Sequence, residues 1–354
     1  MRQLPELPIQ YADYSVWQRK WLEESDEAKA KKEFWKARLS GELPVLDLPN
    51  DMPRPSTFEY RGWSVPVHIP ANVVRGLREL GKSCEAGGCT LFGVLLALYQ
   101  LMLCRLSRQD EVIVGIPFHG RTKPEIEKLL GYFIKVLPIR TSVPSSSGIS
   151  LKKFIEGVRE NYVRCIENAD VPLTVIAQNV TAKRDPSRTP IFQTFFTLQS
   201  FSEATPKLQG IDCEIVPLPS QLDPARGSTR FELAMELEEV GDEEVRGRLE
   251  FCTALFETGT IQEFVRAFES AAASASRGGG APGTDVRRIL MMSEEQKRSI
   301  VQDLAVLSSI SPPMKCRAPP ERGRLLDKLF ESQAMKTPNS DALCFGDDPR
   351  WGPR

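Results

Sequence analysis

Residues 90–117 read TLFGVLLALYQLMLCRLSRQDEVIVGIP, and this stretch decides the fold class. From Leu91 to Leu106 it is apolar around the whole helical circumference, interrupted by Gln100 and Arg105. Such a run is too short for a bilayer, which needs roughly 20 apolar residues, so it reads as a helix buried on all sides, with Thr90 placed to cap it. Glu111 to Pro117 (EVIVGIP) follows, rich in β-branched residues, and predicts a strand buried on both faces. A fully buried helix beside a fully buried strand needs covering layers, so the expected fold class is layered α/β, or α+β.

Toward the N-terminus, Val73, Val74, Leu77 and Leu80 have helical spacing, with Gly81 expected as the C-terminal stop. Trp63 to Ile69 alternates as a short strand, and residues 43–57 (LPVLDLPNDMPRPST) form a proline-rich extended connector. Residues 11–39 are helical, with Trp17, Trp21, Phe34 and Trp35 as anchors and Gly41 as the stop. Toward the C-terminus, Ser150 caps an amphipathic helix carrying Leu151, Phe154, Ile155, Val158, Tyr162, Cys165 and Ile166. Residues 191–198 are β-rich. Phe231, Leu233, Met235 and Leu237 alternate as a half-buried strand, and Leu249 and Phe251 are expected to begin another. Ile261, Phe264, Val265 and Phe268 return to helical spacing, and residues 276–284 (SRGGGAPGT) read as a loop. Ser293 and Gln296 make a capping box for a helix to about residue 304. Residues 305–323 read as a linker and residues 325–334 as a last short helix.

The 354 residues carry a net charge of −1, so electrostatics does not draw the chain to nucleic acid or to a membrane surface. Its 8 cysteines are scattered without a CxxC pair, which points to reduced thiols and a cytoplasmic location. With only two histidines, His68 and His119, far apart in sequence, no zinc site is expected. Residues 76–83 (GLRELGKS) satisfy the P-loop expression, but the intervening residues continue a helical period and no strand leads into them, so a nucleotide site is not expected. No GxSxG, HExxH or GxGxxG occurs, and the residues taken alone present no catalytic constellation.

Several segments in order resemble the condensation domains of nonribosomal peptide synthetases. Residues 11–17 (YADYSVW, with Tyr11, Asp13 and Trp17) resemble YxDYAxW, and residues 46–55 (LDLPNDMPRP) resemble the connector that follows it. Residues 115–121 (GIPFHGR, with Gly115, Pro117, Gly120 and Arg121) resemble GxPxAGR, with His119 in place of alanine. Residues 131–136 (GYFIKV, with Gly131, Tyr132 and Phe133) resemble G(F/Y)FVN(T/P), with Lys135 in place of asparagine. Residues 170–173 (DVPL) resemble DYPF. Residues 184–190 (RDPSRTP, with Arg184, Asp185, Ser187, Arg188 and Pro190), followed by Gln193, resemble RDxSRxP. Residues 325–346 are similar to the opening of an adenylation domain.

The resemblance implies two chloramphenicol-acetyltransferase-like lobes with a tunnel between them. There the amine of one carrier-bound substrate attacks the thioester of another and an amide forms. It implies carrier and adenylation domains as partners, and substrates tethered to phosphopantetheine, with no cofactor bound directly. The family's HHxxxDG is not among these residues, so no catalytic residue is assigned. Expected boundaries are 1–60 for the end of an N-terminal lobe and the connector, 61–304 for the C-terminal lobe, 305–323 for a linker and 324–354 for a truncated adenylation start. The expectation is a fragment with the N-terminal lobe largely missing, inactive alone in condensation and in amino-acid activation. The alternatives are a non-enzymatic docking module and an acyltransferase using His119 as base. Arg121, Arg184 and Arg188 are candidates either for structural pins or for contact with substrate or pantetheine phosphate. Lys135 faces either the tunnel or solvent.

Overall fold

The computed structural model describes residues 6–85, 87–143, 148–180, 185–200, 227–241, 243–278, 284–292 and 296–298. Two compact units divide the chain, Met1–Ser293 and Glu294–Arg354. Of the second, the described residues form one helical turn at 296–298. Ser293 of the expected capping box, residues 299–304 of the helix expected there, the expected linker at 305–323, the helix expected at 325–334 and Arg184 all lie outside the described residues.

In the first unit the order is α1 (Tyr11–Glu24), α2 (Asp26–Arg38), β1 (Gly62–Ile69), α3 (Ala71–Lys82), α4 (Leu91–Ser107), β2 (Glu111–Phe118), α5 (Pro124–Glu127) and β3 (Lys135–Ser142). Then come α6 (Leu151–Glu167), α7 (Leu173–Asn179), β4 (Thr194–Gln199), β5 (Leu233–Val240), β6 (Glu244–Cys252) and α8 (Thr258–Gly278). The strands form one sheet in the order β1-β6-β5-β4-β2-β3. β4 runs parallel to both β2 and β5, and the outer pairings are antiparallel. α3, α8, α4 and α6 pack against one another and against the sheet. This is the mixed α/β architecture that residues 90–117 imply. α4 is buried from Leu91 to Cys104 apart from the partly covered Phe92, and β2 is buried from Val112 to Ile116.

The sheet alternates as strands must. On β1, Val65, Val67 and Ile69 enter the core while Pro66 and His68 are exposed. Opposite them on the outer face, Arg246 and Arg248 of β6 pair with Glu244 and with Glu236 of β5. The caps are chemical: Thr90 Oγ1 accepts from Gly93 N at 3.3 Å and Ser150 Oγ from Lys153 N at 3.3 Å. No helix among the described residues is long and apolar enough to cross a membrane.

Four sequence expectations need correction. Gly81 does not stop α3 as a left-handed cap; it lies inside the last turn, and Ser83 is the C-cap in the right-handed region. Glycine is required there because a Cβ would stand 2.3 Å from the Cys89 carbonyl oxygen. Leu249 and Phe251 end a strand rather than begin one, since β6 starts at Glu244. The helix expected over 261–268 is longer than its apolar stripe, and α8 extends to Gly278, through the first residues of the expected loop. Finally, β3 and α7 form where no strand or helix is expected from sequence pattern.

Candidate functional site

The motif residues gather in two places. The first is a satellite apolar cluster of Tyr14, Ile126, Leu129 and Phe133, with Leu7 and Ile9 packed on it. Tyr11 meets the Phe133 ring edge-on at 5.3 Å, and its hydroxyl donates to Tyr132 O at 3.1 Å. Gly131 permits that contact, because a Cβ there would lie 2.2 Å from Tyr11 Cδ2. Asp13 serves its own helix: Oδ2 accepts from Gln10 N at 2.8 Å, closing a capping box on α1. Trp17 stacks on Trp21 with centroids 6.1 Å apart, and Lys123 Nζ stands 5.2 Å from the Trp17 ring centre.

Arg121 lies over the face of Phe133 at 4.3 Å and donates to the carbonyls of Ile126 (2.7 Å) and Leu129 (2.8 Å). Both bonds leave from Nη1, so one nitrogen of the guanidinium closes the loop over residues 121–133. Gly120 adopts φ +69°, and a Cβ there would be 2.0 Å from Phe133 O. His119 is exposed, its ring tilted against Phe118 with centroids 4.6 Å apart, and its Nδ1 accepts from Arg121 N at 3.1 Å. An imidazole whose Nδ1 lone pair is engaged carries its proton on Nε2 when neutral, so in this arrangement it has no free lone pair for a base.

Lys135 opens β3 opposite Phe118 and is partly buried. Its Cγ lies 3.4 Å from where a Gly120 Cβ would stand. Burial pulls the ammonium below its ordinary value, and the field of Asp170 offsets part of this. Asp170 itself is ion-paired with Lys31 of α2, so two cations share one carboxylate. Burial, with the Asp170 charge adding, also raises the Tyr14 phenol. Among the described residues, no hydrogen bond or ion pair reaches Lys135 Nζ.

The second gathering pins the connector of residues 43–57 to the sheet. Gln193 Oε1 accepts from Leu46 N at 2.9 Å, while its Nε2 donates to Thr189 O at 3.0 Å. Arg188 donates to Leu46 O at 3.2 Å and stands 3.8 Å from Glu232. Ser187, through its N–H and hydroxyl, holds the Asp185 carboxyl below its usual range. Gly115 leaves room for the Phe192 ring, which a Cβ would approach to 2.4 Å. Pro117 sits opposite Val136 on the neighbouring strand, and Pro190 O accepts from Phe192 N at 2.9 Å.

Two members of this network were not foreseen. Arg54 forks onto Glu232, both oxygens at 2.8 Å, and that carboxylate is 1% exposed. Asp51 accepts from Glu257 N at 2.8 Å and Thr260 Oγ1 at 2.7 Å, capping α8 from across the domain. The signal available in the sequence was an arginine and an aspartate in a proline-rich segment that needs fixed anchors.

Residues 1–301 match the family described as Condensation domain. Tyrocidine synthase 3 of Brevibacillus parabrevis is 30% identical over 351 residues, which are 98% of this chain and 5% of that protein. Gramicidin S synthase 2 of Brevibacillus brevis is 30% identical over 342 residues, 97% of this chain and 7% of that protein. The chain thus spans a small part of the curated relatives it matches. Among solved structures, a holo four-domain nonribosomal peptide synthetase bound to AMP and glycine superposes with TM-score 0.72 at 20% identity, covering 84% of this chain and 22% of that one. The X-domain from teicoplanin biosynthesis gives TM-score 0.71 at 21% identity, with 81% and 63% covered. These structures share the fold, and the matched residues 1–301 carry the assignment: the chain belongs to the condensation-domain family of nonribosomal peptide synthetases.

Proposed function

We propose that these 354 residues supply the C-terminal lobe of a condensation domain, one wall of a tunnel in which an amide is made from two carrier-bound substrates. The observation that carries this reading is the Lys135 locus. Among the described residues, a partly buried ammonium without a bonded partner stands at the start of β3, directly after the loop on which Leu130, Tyr132 and Ile134 are exposed. Nearly every other motif residue is spent on holding loops. The group that positions or deprotonates the attacking amine must come within hydrogen-bond reach of it. In this reading it is the histidine of HHxxxDG on the opposite lobe, a motif that these residues do not contain. Carrier domains are the partners, phosphopantetheine is their tether rather than a group bound here, and residues 324–354 are the start of an adenylation domain after a linker at 305–323.

The test is reconstitution with aminoacyl and peptidyl thioesters on carrier domains. The chain alone is expected to form no amide, and addition of a separately expressed lobe bearing HHxxxDG is expected to restore formation. Amide synthesis by the chain alone would overturn the reading.

A further inference from the structure

The turn between α3 and α4 brings together two thiols that none of these roles uses. The N–H groups of Cys84 and Cys89 both donate to one acceptor, the Gly81 carbonyl, at 3.2 and 2.8 Å. Their nitrogens are therefore at most 6.0 Å apart, which makes the two residues neighbours across the turn; a disulfide needs their Cα atoms roughly 4.4–6.8 Å apart. Gly87 and Gly88, at φ +90° and +82°, make the reversal that returns the chain to Gly81. Glu85 N donates to Glu156 Oε1 at 2.6 Å and pins the turn on α6.

Both thiols lie in the field of the same stretch of that helix, while Cys84 Sγ donates to Leu80 O at 3.6 Å. Cys84 lies within the field of Glu156, Lys152 and Arg159; Cys89 lies within that of Arg159 and Glu156 and bonds to Tyr162. The two sets are displaced along α6 by about one turn, ~5 Å, and Cys84 is itself among the groups that act on Cys89. Cys89 is the more exposed of the two, whereas Cys104, Cys165 and Cys252 are buried in other elements. Among the described residues, no third donor joins the pair in a metal-binding group.

We propose that Cys84 and Cys89 are a redox pair that closes a reversible disulfide across the α3–α4 turn, with a peroxide as oxidant. The Cys89 thiolate attacks the peroxide O–O bond, giving a sulfenic acid and water after proton uptake. The Cys84 thiolate then attacks that sulfur, forming the S–S bond and releasing a second water. Two thiols lose two protons and two electrons, and one peroxide becomes two waters. A dithiol reductant reverses the change by exchange. Burial pushes the Cys89 thiol up to about 12, so the reaction is slow at neutral pH and accelerates as pH rises. Closing the bond draws the Cys89 sulfur off the first turn of α4, where a Cβ on Gly93 would meet it at 2.5 Å.

The experiment uses the full chain, with hydrogen peroxide as probe, native alkylation of remaining thiols, tryptic digestion and tandem mass spectrometry. Both cysteines fall in the peptide from Ser83 to Arg105, together with Cys104. The expected product has lost two hydrogens between Cys84 and Cys89 and keeps Cys104 as a thiol. It forms faster at pH 9 than at pH 7, and dithiothreitol restores it. Cys84→Ser should stop oxidation at a Cys89 sulfenic acid that a dimedone probe captures, with unchanged circular dichroism. Over-oxidation of Cys89 without a crosslink in the unsubstituted chain, pairing with Cys104, or full alkylation of both thiols after peroxide would overturn the proposal.

Discussion

At the scale of residues, the site is mostly charge that has already found a partner. Glu232 is the clearest case: it is 1% exposed and forked by Arg54, with Arg188 beyond. Breaking a buried pair strands its partner, at a cost of about 3–5 kcal/mol. Glu232→Ala should therefore lower stability by that amount in urea unfolding, and Arg54→Met on that background should recover part of it. An unchanged midpoint for the single variant would show the pair to be ornamental. Lys135 is the opposite case. Its folded-state pKa lies below the ordinary 10.5, so the folded chain disfavours the charged form. That penalty is present in full below the folded pKa and fades as pH rises from there toward the unfolded value. Lys135→Met should accordingly raise Tm near neutral pH by roughly 1–3 °C, and the gain should fade as pH approaches the ordinary value of 10.5. A gain that persisted at high pH would point to packing instead of desolvation.

At the scale of elements, α4 shows what burial does to a polar side chain. Gln100 is fully buried, and among the described residues neither of its amide atoms has a hydrogen-bond partner. An unsatisfied buried polar group costs about 1–3 kcal/mol, so Gln100→Leu should stabilise the chain by an amount of that order in thermal or denaturant unfolding. Loss of stability in that variant would mean that an ordered water satisfies the amide. The long periodic elements, α3, α4, α6 and the buried β2, were legible because hydrophobic spacing is a direct record of burial. β3 was not, because Lys135, Pro138 and Arg140 interrupt its pattern. Edge position explains this: an edge strand tolerates a proline and charges that an inner strand would not. Glu232 is the converse case. Alternation through Phe231, Leu233 and Met235 points it outward, yet the connector covers that face and brings Arg54 with it. The resemblance located the motif residues but could not sort them. Arg121 and Arg188 turn out to grip carbonyls and carboxylates of the chain itself, a distinction that depends on what surrounds a guanidinium and not on its place in a motif.

At the scale of the whole molecule, several large apolar side chains of the first unit are exposed among the described residues. Leu130 is 91% exposed, Val16 and Tyr132 each 71%, and Ile134 50%. They come from α1 and from the loop before β3, which the Tyr11–Tyr132 and Tyr11–Gly131 contacts hold together. Exposed apolar side chains of this kind draw a partner, and a second copy is the one available in a purified sample. Light scattering behind gel filtration should show a mass that rises with concentration. Val16→Glu combined with Leu130→Glu should abolish that rise without altering Tm, because neither side chain contributes much buried area. The lobe bearing HHxxxDG, if it covers the same region, should also disperse the self-associated form and should bind the double variant less well. A concentration-independent monomer would show that the patch is tolerated by solvent, and would remove the support it lends to a tunnel wall at Lys135.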